Sequence, residues 1–265
     1  MGCDALNHAP WTCHTVFVEE TMDKTPRDPH AHTRRISRRD FLITTLLASG
    51  AILMGPGGVL RAASQAAPSG TWASDWPIRN KPILEDLAAR TVKLYAELSL
   101  EHLSRTTGHW GIGCASGSLA DKFILLTTAD PIGFHDALLR VGAHPGNNLA
   151  MDSYGQFVSG DALSVTALWP GLKAPLNLRD IFYDETGKGF LIRFGGNRET
   201  ALKHKTGCIT CLESCPVGIT SNAAYPHIRG IQRTIRPNSA FRGRPETLPR
   251  KEAFPLVISY CLEVQ

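Results

Sequence analysis

The sequence has few aromatic residues, 8% of the chain, and no strong excess of either charge. Its 28 Lys and Arg are interspersed among 24 Asp and Glu, and a formal net charge of +4 is too mild to argue for a nucleic-acid partner. An undiluted apolar run is also missing. The stretch from Phe41 to Leu60 is interrupted by Thr44, Thr45, Ser49, Gly50 and the run Gly55-Pro56-Gly57-Gly58, which makes it a poor membrane span. There is no internal repeat, no Walker-A sequence and no G-x-G-x-x-G between a strand and a helix. G-x-S-x-G and H-E-x-x-H are absent too, and no pair of carboxylates is brought together by spacing alone. If the chain is an enzyme, these absences leave its active site hidden in the sequence.

What is present begins with an export segment. Ser37, Arg38, Arg39, Asp40, Phe41 and Leu42 look like the twin-arginine (Tat) pattern S-R-R-x-F-L, with Ile43 where a lysine is common. Arg34 and Arg35 add positive charge before it, and small residues from Ala62 to Ala67 offer a cleavage region. Residues 1–66 are therefore expected to be a signal that meets the twin-arginine machinery and sends the chain to the periplasm. If it is not cleaved, it leaves an N-terminal membrane anchor. Met22 offers an alternative start, and Cys3 and Cys13 are expected to have no role in the mature protein.

Residues 67–81, rich in Ser, Pro, Gly and Trp, read as a linker. In residues 82–107, Leu84, Leu87, Thr91, Leu94, Tyr95, Leu98 and His102 recur at helical spacing, with Pro82 near the start and Gly108 past the end; an amphipathic helix is expected. Beyond it, "KFILLTT", "ALSVTALW", "FLIRFGG" and "FPLVISYCLEV" read as strands, and "FHDALLRVGAHPG" as a short helix closed by Gly142. Strands and short helices mix without a βαβ rhythm. The expected fold is a single α+β domain over residues 108–265, with a largely antiparallel mixed sheet.

"SLADKFILLTTADPIGFHDALLRVGAHPGNN" resembles the YdjY-like domain family, whose members carry a similar strand followed by an H-x-A-L-L-x-x-G-A-x-P-G helix and turn. His135, Ala137, Leu138, Leu139, Gly142, Ala143, Pro145 and Gly146 fit that pattern. "FLIRFGG" and "CPVGITSNAAYP" fall where the family has a strand end and a Cys-to-Ser-Asn segment, so the likeness covers roughly residues 105–236. It implies a fold but brings no activity; some relatives are described as ferredoxin-like.

The cysteines carry the chemistry. "TGCITCLESCPVG" places Cys208, Cys211 and Cys215 in the spacing C-x₂-C-x₃-C, with Pro216 following. Bacterial ferredoxin clusters use C-x₂-C-x₂-C-x₃-C-P, because short spacers wrap the chain around one cluster of iron and sulfide. The first position of that signature falls here on Lys205. The expected centre is a [4Fe-4S] cluster on Cys208, Cys211 and Cys215, with Cys114 from "HWGIGCAS" as fourth ligand; Cys261 and His204 are alternatives. Three ligands alone would suit a [3Fe-4S] cluster. Twin-arginine export carries folded proteins and so accommodates a cluster assembled before export. The other readings are a thiol-disulfide oxidoreductase on Cys208 and Cys211, a cofactor-free binding or scaffold module with disulfides, structural zinc, and plain packing. His109 reads as a surface or core histidine, and Cys261 as a core residue. "YPHIRGIQRTIRPN" reads as a short helix with Arg229, Arg233 and Arg236 on one face. That face is an ordinary solvated surface or a dock for an acidic redox partner.

Overall fold

The computed structural model describes residues 72–103, 105–228 and 241–263. The export motif at Arg38, Arg39, Phe41 and Leu42, together with Cys3, Cys13 and the arginines of the 226–237 segment, lies outside the described residues. The described chain is α+β. Strands β1 (Ile83–Asp86) and β2 (Thr91–Leu98) form a hairpin and are followed by the one-turn helix α1 (Leu100–Leu103). Then come β3 (Trp110–Cys114), β4 (Leu125–Thr127), helix α2 (Pro131–Arg140), β5 (Leu163–Leu168), β6 (Leu176–Asn177), α3 (Leu178–Ile181) and β7 (Phe182–Asp184). The remaining elements are β8 (Ile192–Phe194), α4 (Arg198–His204), β9 (Cys208–Cys211), β10 (Thr220–Asn222), β11 (Phe241–Gly243) and β12 (Pro255–Leu262).

Ten strands make one sheet in the order β6-β5-β12-β2-β4-β3-β9-β10-β8, with β1 paired to β2 off this path; β7 and β11 make a separate pair. Within the large sheet only β3–β4 and β9–β10 run parallel, so the sheet is largely antiparallel, as expected.

The amphipathic helix expected over residues 82–107 is not formed. Its residues are the β1–β2 hairpin, turned at Arg90 with φ 49° and braced by the Asp86 carboxylate, which accepts from the Ala89 N–H at 2.9 Å. The apolar residues satisfy two periods at once. Leu84, Leu87, Leu94 and Leu98 fit a helix, while Val92, Leu94, Ala96 and Leu98 alternate along a strand. The strand wins because β2 sits between β12 and β4, where all four alternating residues enter the core. Leu87, on the apolar face of the expected helix, is 63% exposed in the turn.

The expected linker is also partly ordered against the sheet. Trp72 packs edge-on to Trp76 at 5.0 Å and to Tyr95 of β2 at 5.7 Å, and its indole N–H donates to the Pro77 carbonyl at 3.1 Å. Two large amphipathic rings in a Ser/Gly/Pro-rich segment gain more from burial than from solution.

The two faces of the sheet have different company. On one, Val92, Leu94, Ala96 and Leu98 of β2 and Leu256, Ile258, Tyr260 and Leu262 of β12 form the main core with Phe134, Ala137 and Leu138 of α2. The Phe134 and Tyr260 rings lie 4.7 Å apart. Helix α2 starts as expected. Asp130 caps it by accepting from the Gly133 N–H at 2.9 Å, Pro131 occupies the first turn, and Gly142 follows the end with φ 87°. A buried hydroxyl chain ties the strands beneath: Tyr260 to Thr210 at 2.6 Å, and Thr210 to Thr220 at 2.8 Å. The opposite face holds a smaller cluster of Phe123, Cys208, Cys211, Cys215 and Val217, flanked by Trp110, Leu119 and Leu126.

The hairpin makes a prediction that a helix would not. Leu94→Ala should cost about 2–5 kcal/mol in denaturant unfolding, and Leu87→Ala no more than about 0.5 kcal/mol. Comparable losses at both positions would restore the helical reading.

Candidate metal centre

Two cysteines three residues apart on a regular strand point to opposite faces. Cys208 and Cys211 share a face because the β3–β9 pairing breaks register twice, between Trp110 and Ile112 and again between Ile112 and Gly113. The aligned pairs are Trp110 with Cys211, Ile112 with Thr210, and Gly113 with Cys208. Gly111 on β3 and Ile209 on β9 are the extra residues. Each bulge flips the alternation once. Ile112 and Ile209 thus enter the main core, while Trp110, Cys208 and Cys211 turn to the other face. Gly113 fits this arrangement because a Cβ there would overlap the Phe123 ring, which covers the cysteines.

Cys215 returns to the same cluster through the turn that follows β9. The Leu212 N–H donates to the His109 carbonyl at 2.7 Å, extending the pairing one residue past Trp110 and bringing His109 alongside. The Asn197 side-chain amide donates to the carbonyls of Cys215 and Gly218, at 3.0 and 3.1 Å. A Cβ at Gly218 would sit 3.0 Å from the Cys211 sulfur, so the backbone approaches the cluster as closely as glycine permits.

The thiols are closed off from water. Cys208, Cys211 and Cys215 are 1%, 0% and 4% exposed, His109 is 8% exposed, and none of the three cysteines is in a disulfide. One potential ligand atom each from His109, Cys211 and Cys215 lie within 4.8 Å of one another, and Cys208 interacts with the other two sulfurs. His109 Nδ1 is buried without a hydrogen-bond partner, and the ring lies 4.6 Å from that of Trp110. The Thr206 hydroxyl is likewise buried without a conventional partner, and it lies beside Cys208, where it favours ionisation.

The ionisation of this group is shared. Cys215 is held well below the ordinary cysteine range because the Cys208 thiol, then the Cys211 thiol, donate to its sulfur; His109 adds to this and burial opposes it. Cys211 is pushed well above that range by its contacts with Cys208 and Cys215, and then by burial. At Cys208 the contact with Cys211 lowers the pKa, but Cys215 and burial outweigh it and the net shift is upward. The metal-free cluster therefore gives up one proton readily and resists losing the next. A cation among the sulfurs would reverse that resistance, since thiolate is the form that binds metal.

The structure places the other expected ligands elsewhere. Cys114 follows Gly113 and so points to the opposite face of the sheet. Its sulfur lies 3.1 Å from the Ser116 hydroxyl, beside a hollow of about 240 Å³ lined by Ile132, Ala201, Leu202 and Lys205 and touching Cys208 at its edge. Cys261 lies on β12, four strands from β9 and so roughly 19 Å away at about 4.8 Å per strand. His204 is exposed in the last turn of α4. The neighbour that sequence reasoning passed over is His109. Nothing in its spacing from the cysteines marks it, because only the bulged strand pairing brings it to them.

Residues 83–260 match the YdjY domain. The chain belongs to the YdjY family. A relative from Escherichia coli strain K12, named "Uncharacterized protein YdjY", is 34% identical over 171 residues, which cover 64% of this chain and 74% of the relative. No solved structure matches the chain. The YdjY region spans all three clustered cysteines and His109. It also takes in the β1–β2 hairpin, so the domain begins before residue 108.

For the metal-free chain, the thiolate absorbance titration should show one step below the free-cysteine value of about 8.5. Cys215→Ser should remove that step. A titration with every thiol at or above the free value would contradict the shared ionisation.

Proposed function

We propose that the chain is an exported metal–thiolate protein, in which Cys208, Cys211 and Cys215 hold a buried centre that passes single electrons outside the cytoplasm. The observation that carries this reading is the meeting of three disulfide-free, water-excluded sulfurs with one histidine. A site closed this tightly leaves little room for a substrate, which suits electron transfer better than Lewis-acid catalysis. A purely structural metal is the less economical account. The domain already has a large continuous core on the other face of its sheet, whereas structural metals chiefly serve domains too small to build one. The chain's own part is to supply thiolates, exclude water and set polarity around the sulfurs; when bound, the metal supplies the electron-accepting orbital.

The C-x₂-C-x₃-C-P spacing is the one observation on the side of a [4Fe-4S] or [3Fe-4S] cluster as that centre, and it supplies three of the four ligands such a signature carries. Thiol-disulfide exchange fits less well, because it needs a thiolate open to a partner's disulfide and Cys211 has no exposed surface. The Arg38-Arg39 motif supports export by the twin-arginine route to the periplasm, and the charge of Arg229, Arg233 and Arg236 suits an acidic redox partner there.

Metal and acid-labile sulfide should be measured in the full-length protein, prepared anaerobically from cell envelope and cytoplasm. Wild type should carry bound metal in the envelope fraction. Cys211→Ser should lose the metal with unchanged circular dichroism, Cys114→Ser should keep it, and changing Arg38 and Arg39 to Lys should leave the chain in the cytoplasm. Unchanged metal in Cys211→Ser would end the metal–thiolate reading.

A further inference from the structure

Because the C-x₂-C-x₃-C spacing supplies only three ligands, the identity of the fourth decides what kind of centre this is. We infer that His109 is the fourth ligand of a one-ion Cys₃His site, which takes a single iron ion rather than an iron–sulfide cluster. This rests on the reading of the cysteines as metal ligands.

Three observations support it. The first is separation. A tetrahedral ion with metal–sulfur bonds of about 2.3 Å and metal–nitrogen bonds of about 2.0–2.1 Å sets its ligand atoms roughly 3.5–3.8 Å apart. Atoms of His109, Cys211 and Cys215 lie within 4.8 Å of one another; Cys208 interacts with both other sulfurs but lies outside that group of three, so its sulfur moves inward to complete the four. A cubane, by contrast, binds each thiolate to a different iron, so its ligands stand on the outside of an inorganic core and are spread farther apart.

The second is space. Phe123 and Val217 pack directly against the three cysteines, with Trp110, Leu119 and Leu126 around them. At Gly218 the backbone comes so close that a Cβ would lie 3.0 Å from the Cys211 sulfur. The hollow beside Cys114 reaches this group only at Cys208; Cys211, Cys215 and His109 do not line it. One ion among the sulfurs needs little displacement of these side chains; four irons and four sulfides need a great deal.

The third is the histidine itself. A buried imidazole nitrogen with no hydrogen-bond partner is uncommon and costly, and His109 Nδ1 is one. A neutral imidazole donates a lone pair to a metal from one nitrogen, which would give the ring a partner in this pocket. Binding a divalent ion would form three metal–sulfur bonds and one metal–nitrogen bond, and would release the remaining thiol protons to solvent without oxidising any group.

The test is anaerobic titration of the metal-free, full-length protein with Co²⁺, whose visible spectrum reports tetrahedral thiolate ligation. The inference predicts one Co²⁺ per chain with a tetrahedral spectrum. His109→Ala should bind at least about 10-fold more weakly, a loss no smaller than that seen when only a ligand's supporting partner is removed. His109→Cys should restore tight tetrahedral binding, which a merely structural ring would not allow. Unchanged affinity in His109→Ala, or about four irons with four sulfides per chain on reconstitution, would overturn the inference and leave the metal–thiolate reading standing. Wild type that binds no Co²⁺, and no iron when sulfide is supplied, would overturn both.

Discussion

The candidate centre depends on the bulged pairing of β3 with β9. Without the two register breaks, a C-x₂-C spacing on a strand would send Cys208 and Cys211 to opposite faces. With them, the two sulfurs meet Cys215 on one side while Ile112 and Ile209 fill the core on the other. The same pairing carries His109 to the cluster, through its carbonyl bond to Leu212. A local irregularity of two strands thus brings together side chains from separate parts of the chain, and bulges are over-represented beside functional sites.

Once the sulfurs are together and dry, electrostatics narrows what they can do. Like charges in a low-dielectric pocket oppose one another, so three thiolates cannot coexist there without a cation. The metal-free state settles for a single shared negative charge, with two thiols donating toward the third. Burial that makes the thiols poor nucleophiles toward a partner protein also shields a bound centre from water. The Thr206 hydroxyl beside Cys208 is placed to tune it. Stability is supplied separately, by β2, β12 and α2 on the far face, which leaves the cysteine side free for chemistry.

Much of the fold is legible in the sequence. Asp130, Pro131 and Gly142 mark both ends of α2 with local capping chemistry, and the apolar run in "FPLVISYCLEV", broken within the strand only by Ser259, marks β12 as a strand buried on both faces. Residues 82–107 mislead because Leu, Ala and Glu favour a helix locally, whereas the strand forms through pairing with β12 and β4, partners distant in sequence. At the site, the spacing of Cys208, Cys211 and Cys215 is legible because one short turn brings them together. The fourth neighbour is not. Cys114 is attractive by residue type and flanking glycines, but strand alternation turns it away, and His109 arrives only through bulges that leave no pattern in the sequence.

The claim that these four side chains form one metal centre is tested most directly by X-ray absorption fine structure of the protein as isolated with its metal. The account predicts about three sulfur scatterers near 2.3 Å, one nitrogen at roughly 2.0–2.1 Å, and no metal neighbour. A shell of oxygen and nitrogen alone would contradict the centre itself, and a metal–metal vector would contradict its single-ion character.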